Sequence, residues 1–331
     1  METQLIAALM ALMLADAAPL IIASLGEMIT ERAGVVNLSL DGTLLITAMA
    51  GFAVAMTTGE VVFGFTAAIL VGMFIAFIVA LASLELHQSA VAVGFVLTIL
   101  CTDLSSFLGN PFVRQAGPSV AFFPLPILSE IPVIGPIFFA QNPVVYFSYL
   151  MIIVTWFLIF RSRPGLILRG IGDNPSAAYA RGINVRRLRY FYTIIGGGCV
   201  GLAGASYSLC VKLGWSYHMT AGLGWIALAI VIFGGWHPMK IALGAYLFGV
   251  LGSLGSLVQG IPELAQIIPT QVFQTAPFAF MILALFLVNN PRLERALAAL
   301  PKPISGLLRR FLEVKPPAAL VSAGSGQSWL R

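Results

Sequence analysis

The sequence predicts an all-α polytopic membrane protein, a bundle of about 8–10 transmembrane helices. Three observations predict it. Of 331 residues, 59% are apolar and only 9% are charged, where a soluble domain carries about 25% charged residues. Long stretches run without any charge: 61–84, 144–160, 190–211 and 241–262. Each is close to the roughly 20 helical residues that a bilayer core requires. No alternation of period two supports a barrel, and only helices or closed barrels satisfy the backbone in lipid.

Taken in order, the spans are expected near residues 4–26, 35–57, 61–84, 90–109, 144–160, 190–211, 222–234, 240–260 and 271–289. The first lacks the basic leader of a cleaved signal peptide and reads as a retained helix. The span at 222–234 is too short to cross alone and reads as a broken or half helix. Two long loops separate these elements. Residues 110–143 are rich in proline yet apolar, and suggest turns or short helices lying on the outer face. Residues 161–189 form the inner loop. The membrane domain is expected over 1–290, and 291–331 as a cytoplasmic tail whose distal part, PPAALVSAGSGQSWLR, has a disordered composition.

Charge orients the bundle. Fourteen of the 18 basic residues fall either in the loop at 161–189 or after residue 290. The positive-inside rule places both in the cytoplasm, and the N-terminus outside if nine segments cross. Each basic segment abuts a span, so topology explains it more economically than nucleic-acid binding, and no nucleic-acid partner is expected. The expected location is the cell (inner) membrane, in contact with lipid.

Most chemistry is excluded. There is no G-x-x-x-x-G-K-[ST] phosphate loop, no H-E-x-x-H and no G-x-S-x-G. Gly196, Gly198 and Gly201 fit G-x-G-x-x-G only formally, inside an apolar span with no preceding strand. Gly197, Gly201 and Gly204, like Gly244, Gly249, Gly252 and Gly255, read as close-packing positions between helices. Cys101, Cys199 and Cys210 have no metal or disulfide spacing, and the three histidines are dispersed. No metal or cofactor site and no catalytic set is expected. Any pumping must draw its energy from a partner or an ion gradient.

Polar groups at membrane depth carry the remaining information. Asp16 lies in the first span; Asp103 lies in the fourth, with Thr98 nearby. A carboxylate at the bilayer centre costs about 2.5–3.5 kcal/mol, so such groups face a cavity or a helix neighbour. Asn37, Ser39 and Asp41 alternate in GVVNLSLDG. They read either as a polar stripe on a translocation path or as caps near the inner interface. Asn37, Asp41, Thr98 and Asp103 are the candidate path residues.

The inner loop contains RPGLILRGIGDNPSAAYARGINV. Asp173 or Asn174 can cap a helix with Pro175 in its first turn, Ala177 and Ala178 on a small-residue face, and Gly182 to stop it. So short a helix is not stable alone and needs something to dock against. Surface binding of anionic lipid through arginines is the plainer alternative.

Three blocks carry a family resemblance. ERAGVVNLSLDGTLL (31–45), GLILRGIGDNPSAAYARGINV (165–185) and GLGWIALAIVIFGGWHPMKIALGAYLFG (222–249) resemble those of permease subunits in ABC importers for simple sugars, nucleosides and branched-chain amino acids, the ERAGVVNLSLDG wording of the first being nearest the nucleoside and simple-sugar branch. The resemblance spans roughly residues 5–290. It implies a non-catalytic permease whose short inner helix is a coupling helix, with Arg169, Gly172, Asp173, Asn174, Pro175, Ala177, Ala178 and Gly182 as the coupling residues. It further implies separate ATPase subunits, a second permease subunit, homologous or identical, and an extracytoplasmic solute-binding protein that delivers a nucleoside or simple sugar. The competing expectation is a secondary transporter driven by an ion gradient, which would also have broken helices and intramembrane polar groups.

Overall fold

The computed structural model describes residues 2–259 apart from residue 133, together with 272, 279 and 316–323. The described residues form helices α1 (Glu2–Arg32), α2 (Leu40–Thr58), α3 (Val61–Leu84), α4 (Ala90–Gly109), α5 (Pro143–Arg161), α6 (Arg163–Asp173), α7 (Pro175–Ala180), α8 (Val185–Ser206), α9 (Leu223–Phe233), α10 (Pro238–Gln259) and α11 (Ala318–Ala323). Seven of them, α1 to α5, α8 and α10, are long and apolar enough to cross a membrane. The protein is therefore an all-α bundle, as its composition requires. The expected span at 271–289 lies outside the described residues, save 272 and 279.

Helix ends follow local chemistry. The Asn142 side chain accepts from the Val145 amide at 3.1 Å to start α5, and Asn184 accepts from Arg187 at 3.0 Å to start α8. Gly59, at φ 79°, ends α2 in the left-handed conformation. The second span begins later than its hydropathy suggests. Residues 33–39 are not helical, because the Asn37 carboxamide oxygen accepts from both the amide and the hydroxyl of Ser39, at 3.1 and 2.6 Å, and holds the chain in a turn.

Helix α8 is the centre of the bundle, and glycine makes it so. A Cβ at Gly197 or Gly201 would run into the α3 backbone at Gly72 or Ala68; one at Gly196 would meet Thr30 and the carbonyl of Gly26 on α1; one at Gly204 would meet Thr47 and Leu44 on α2. Without a hydrophobic drive between helices in lipid, such close approach supplies the packing energy. Gly249 on α10 likewise sits on Met13 and Ala17 of α1.

One end of the bundle gathers the arginines. Arg186 pairs with Glu85 at the end of α3, and Arg189 donates to the Ala33 carbonyl after α1 at 3.0 Å. At the opposite end Gln141 donates to the Ala11 carbonyl at 2.9 Å, and Arg114 to Trp215 at 3.0 Å. Between these two ends, α9 has only 11 residues. The chain descends from Trp215 as turns over 216–222 and becomes helical only at Leu223. The short apolar run is thus a half helix completed by a non-helical segment. In the tail, where composition suggests disorder, residues 318–323 are helical and Ala319 is buried; Pro317 lies against Gly172 of α6.

Candidate functional site

The arginine-rich end carries a helix pair. Ser162 starts α6 by accepting from the Gly165 amide at 3.1 Å. Residues Gly165, Leu168, Ile171 and Gly172 form its buried face. A Cβ on Gly165 would strike the Leu158 carbonyl, and one on Gly172 the Arg32 carbonyl, so α6 lies directly on the ends of α5 and α1. Arg169 stacks its guanidinium over Phe160 at 5.6 Å, and Arg32 does so at 5.9 Å. Sequence reasoning identified one short helix here and missed α6. Its signal was present in Ser162 before Arg163-Pro164, a capped start with proline in the first turn.

Helix α7 follows at once. Of the two candidate caps, Asn174 does the work, accepting from the Ala177 amide at 3.0 Å and the Ser176 hydroxyl at 2.9 Å. Asp173 is exposed. Gly182, at φ 79°, closes the turn after the helix. The two alanines part company: Ala178 is 6% exposed and joins the core, as Pro175 does, whereas Ala177 faces outward beside Tyr179, which is 72% exposed. Leu166 on α6 is also exposed. The α6–α7 unit therefore offers an outward surface with apolar character on a rigidly seated base.

A second polar group fills the core just above this unit, and the sequence reading did not single it out. Glu27 and Glu31 lie four residues apart on α1, both buried. Glu31 accepts from the Trp236 indole at 2.5 Å, and Arg32 donates to the Trp236 carbonyl at 2.7 Å. Glu27 accepts from the Asn37 amide at 3.3 Å. The available signal was the i, i+4 spacing of two acids at the end of an apolar run. His237 stacks on Phe160 at 5.0 Å; burial, then Lys240 and Arg32, lower its pKa, so the ring is neutral at neutral pH.

The four candidate path residues separate. Asn37 and Asp41, both buried, and Thr98, half-buried, come together around the start of α2. Thr98 donates to the Leu38 carbonyl at 2.9 Å. The Asp41 carboxylate accepts from the amides of Gly222 and Gly224, at 2.8 and 3.0 Å, and so caps α9 from another helix. Gly224 makes this possible, since any Cβ there would strike the Asp41 backbone. Asp103 is different. It is exposed, and it borders a shallow hollow of about 490 Å³ with Val96, Ile99, Leu100, Leu104 and Phe107.

Among the described residues, no three histidine, cysteine or acidic side chains are grouped to hold a metal ion. Cys101, Cys199 and Cys210 are free thiols. The arrangement offers docking surfaces and hydrogen-bonding groups.

Comparison with known proteins adds a lineage. Residues 9–285 match the family described as branched-chain amino acid transport system / permease component. The chain is 39% identical to a putative glucose ABC transporter permease of Haloferax volcanii, over 71% of this chain and 73% of that one. It is 34% identical to a nucleoside ABC transporter permease of Lactococcus lactis, over 83% and 90%. It is 32% identical to a guanosine ABC transporter permease of Bacillus subtilis, over 81% and 88%.

Proposed function

Because the chain belongs to the permease-component family of branched-chain amino acid transport systems, we propose that it passes a neutral, hydroxylated ring solute, a nucleoside or simple sugar, across the membrane. At the coarser level the assignment is direct: it is a non-catalytic, polytopic inner-membrane permease component of an ABC-type importer. The observation that carries the solute class is the shared chemistry of its relatives' cargoes. Glucose, nucleosides and guanosine all present a hydroxyl-bearing ring with no net charge.

In this reading the arginine-rich end is cytoplasmic and α6–α7 is the coupling unit, seated in a pocket of a separate ATPase subunit. Asn174 and Pro175 start the docking helix and Gly182 stops it. Ala177, with Tyr179, makes contact, while Ala178 anchors α7 to its own bundle. Gly172 ties α6 to the end of α1 and Arg169 ties it to Phe160 of α5, and Asp173 extends the outward surface between the two helices. What supports this is the pairing of an exposed face with a base packed against backbone. A second permease subunit completes the pore. An extracytoplasmic binding protein delivers solute to the opposite end, where the 110–143 loop exposes Phe122, Phe123 and Ile127. Asp103 faces the path, and Asn37, Asp41 and Thr98 shape the helix starts beside it.

The test is ATP-driven uptake of labelled guanosine and of labelled glucose by the complete complex in proteoliposomes. Uptake of one, competed by its own class, is the expected result. Transport of a branched-chain amino acid in preference to both overturns the solute class. Uptake driven by an ion gradient without the ATPase overturns the coupling role.

A further inference from the structure

The segment 216–222 is non-helical backbone at membrane depth, and helix α4 measures how deep. At its start Trp215 pairs with Val113, just beyond α4, and the Tyr217 hydroxyl donates to the Asn110 side chain at 2.7 Å. At its end Gly222 is held by Asp41, whose neighbour Gly42 lies against Thr98 of α4. Asn110 to Thr98 is about 18 Å of helix, so the irregular segment runs along roughly half a bilayer. It is not sealed inside the bundle. Tyr217 is 46% exposed, and His218 and Ala221 are exposed. Irregular backbone at this depth is tolerated only where it is buried in protein or lines a water-filled cavity, because lipid cannot satisfy its polar groups.

The side of α4 turned toward this segment is fixed by two contacts. Phe95 meets Trp225 at a ring distance of 5.4 Å below, and Asn110 meets Tyr217 above. At 100° per residue, Thr102 and Ser106 fall between these on the same face, with Asp103 at its edge. All three are polar, and Asp103 is exposed about 20 Å along the helix from Ala90 and about 9 Å short of its end at Gly109, within the apolar span. A carboxylate does not face lipid there. His218 has a φ of 54°, in the region that favours glycine, a conformation that surrounding structure must hold.

We propose that the cleft between these two walls is this chain's share of the solute path, and that Asp103, on the same side of α4 as Asn110 and its partner Tyr217, forms with Tyr217 a binding site for a hydroxylated ring. The carboxylate accepts hydrogen bonds from the solute's hydroxyls; Thr102 and Ser106, whose protons go to carbonyls of their own helix, add acceptor lone pairs; the Tyr217 ring covers the solute's flat face. The second permease closes the open side. The identity of the solute rests on the function proposed above; the wetness of the cleft does not.

The experiment uses the complete transporter in proteoliposomes, with Cys101, Cys199 and Cys210 replaced by alanine and ATP-driven uptake verified. Cysteines are introduced one at a time by Thr102→Cys, Ser106→Cys and His218→Cys, with Phe157→Cys on the outward face of α5 as the lipid control. The probe is a charged, membrane-impermeant methanethiosulfonate. The cleft residues are expected to react, with rates that change several-fold between nucleotide-free and ATP-trapped states, while the control stays unreactive. Uptake that persists in complexes whose cleft cysteines never react overturns the path. Asp103→Asn is expected to raise the apparent KM for uptake about tenfold, the loss of one charge-assisted hydrogen bond. An unchanged KM overturns the binding site. State-dependent reactivity without uptake of guanosine or glucose supports the path and places the failure in the solute class.

Discussion

Two polar regions lie within one bundle and are treated in opposite ways. At the end of α1, Glu27, Glu31, Asn37 and Ser39 are buried, and Trp236, Arg32 and Asp41 tie that knot to the start of α9 and the turn after it. Along α4, Asp103 and Asn110 are exposed, and Thr102 and Ser106 are half exposed; the last two spend their hydroxyls on their own helix, donating to the carbonyls of Thr98 and Thr102. The apolar surroundings are similar, so the difference lies in what each group is given to bond. A closed knot fixes the positions of α1, α2, α9 and the α9–α10 turn. An open wall keeps the Asp103 carboxylate, and the acceptor lone pairs of Thr102 and Ser106, for something that comes and goes. Substitution should therefore cost folding energy in the first region and transport in the second.

The largest effect is expected at Asp41. Removing its carboxylate in Asp41→Ala strands the amides of Gly222 and Gly224 in the bundle and leaves the start of α9 uncapped. Unsatisfied buried donors cost about 1–3 kcal/mol each, so a loss of about 3 kcal/mol is expected. Thermal unfolding of the purified permease in detergent measures it. A variant with unchanged stability and defective uptake would move Asp41 from the knot to the wall.

The same contrast recurs in miniature on α7. Ala178→Leu overpacks a closed site and is expected to destabilise the permease by about 1–3 kcal/mol. Ala177→Leu, one residue away on the exposed side, is expected to leave thermal stability unchanged and to abolish ATP-coupled uptake by obstructing the ATPase pocket. Insertion and complex yield, measured beside uptake, separate the two. Equal behaviour of the pair would dissolve the assignment of α7 faces.

A smaller effect is expected at Trp236. In Trp236→Phe the Glu31 carboxylate loses its indole donor while remaining buried, a cost of about 2 kcal/mol. Adding Glu31→Gln should recover part of that loss, since a neutral amide is cheaper to leave unpaired than a carboxylate. A double-mutant cycle in thermal stability reads the coupling directly. Strict additivity would mean that the two side chains stabilise the bundle independently of their hydrogen bond.

The spans were legible because hydropathy over about 20 residues is a strong and local signal. Helices α3 and α4 have the bounds their sequences suggest, and the shortness of α9 was visible in the run at 222–234. The start of α2 was misplaced, because hydropathy does not register that Asn37 and Ser39 bond to each other and hold 33–39 out of the helix. For Asp41 a capping role was one of two readings, but that the helix it caps is α9 was not legible. Its partners are 181 and 183 residues away, and nothing local distinguishes a carboxylate that caps a distant helix from one that faces a pore. The same holds for Asp103, where exposure depends on which helices fail to cover it. For α7 the cap and stop were local and readable, but the divergence of Ala177 and Ala178 depends on where α6 seats the helix.

The smallest effect is expected at Tyr217, which stands where wall and fold meet. Its hydroxyl donates to Asn110, joining the irregular segment to the end of α4, yet the side chain is nearly half exposed. Tyr217→Phe keeps the ring and removes one partly solvated hydrogen bond, a loss of about 0.5–1 kcal/mol at most. If the ring covers the solute, as the open wall implies, uptake should change little in Tyr217→Phe and fall sharply in Tyr217→Ala. The two variants should differ much less in thermal stability, because a half-exposed ring contributes little burial. A Phe variant as defective as the Ala variant would assign the work of Tyr217 to its hydroxyl, and would make the Asn110 contact a structural tie instead of the edge of a path.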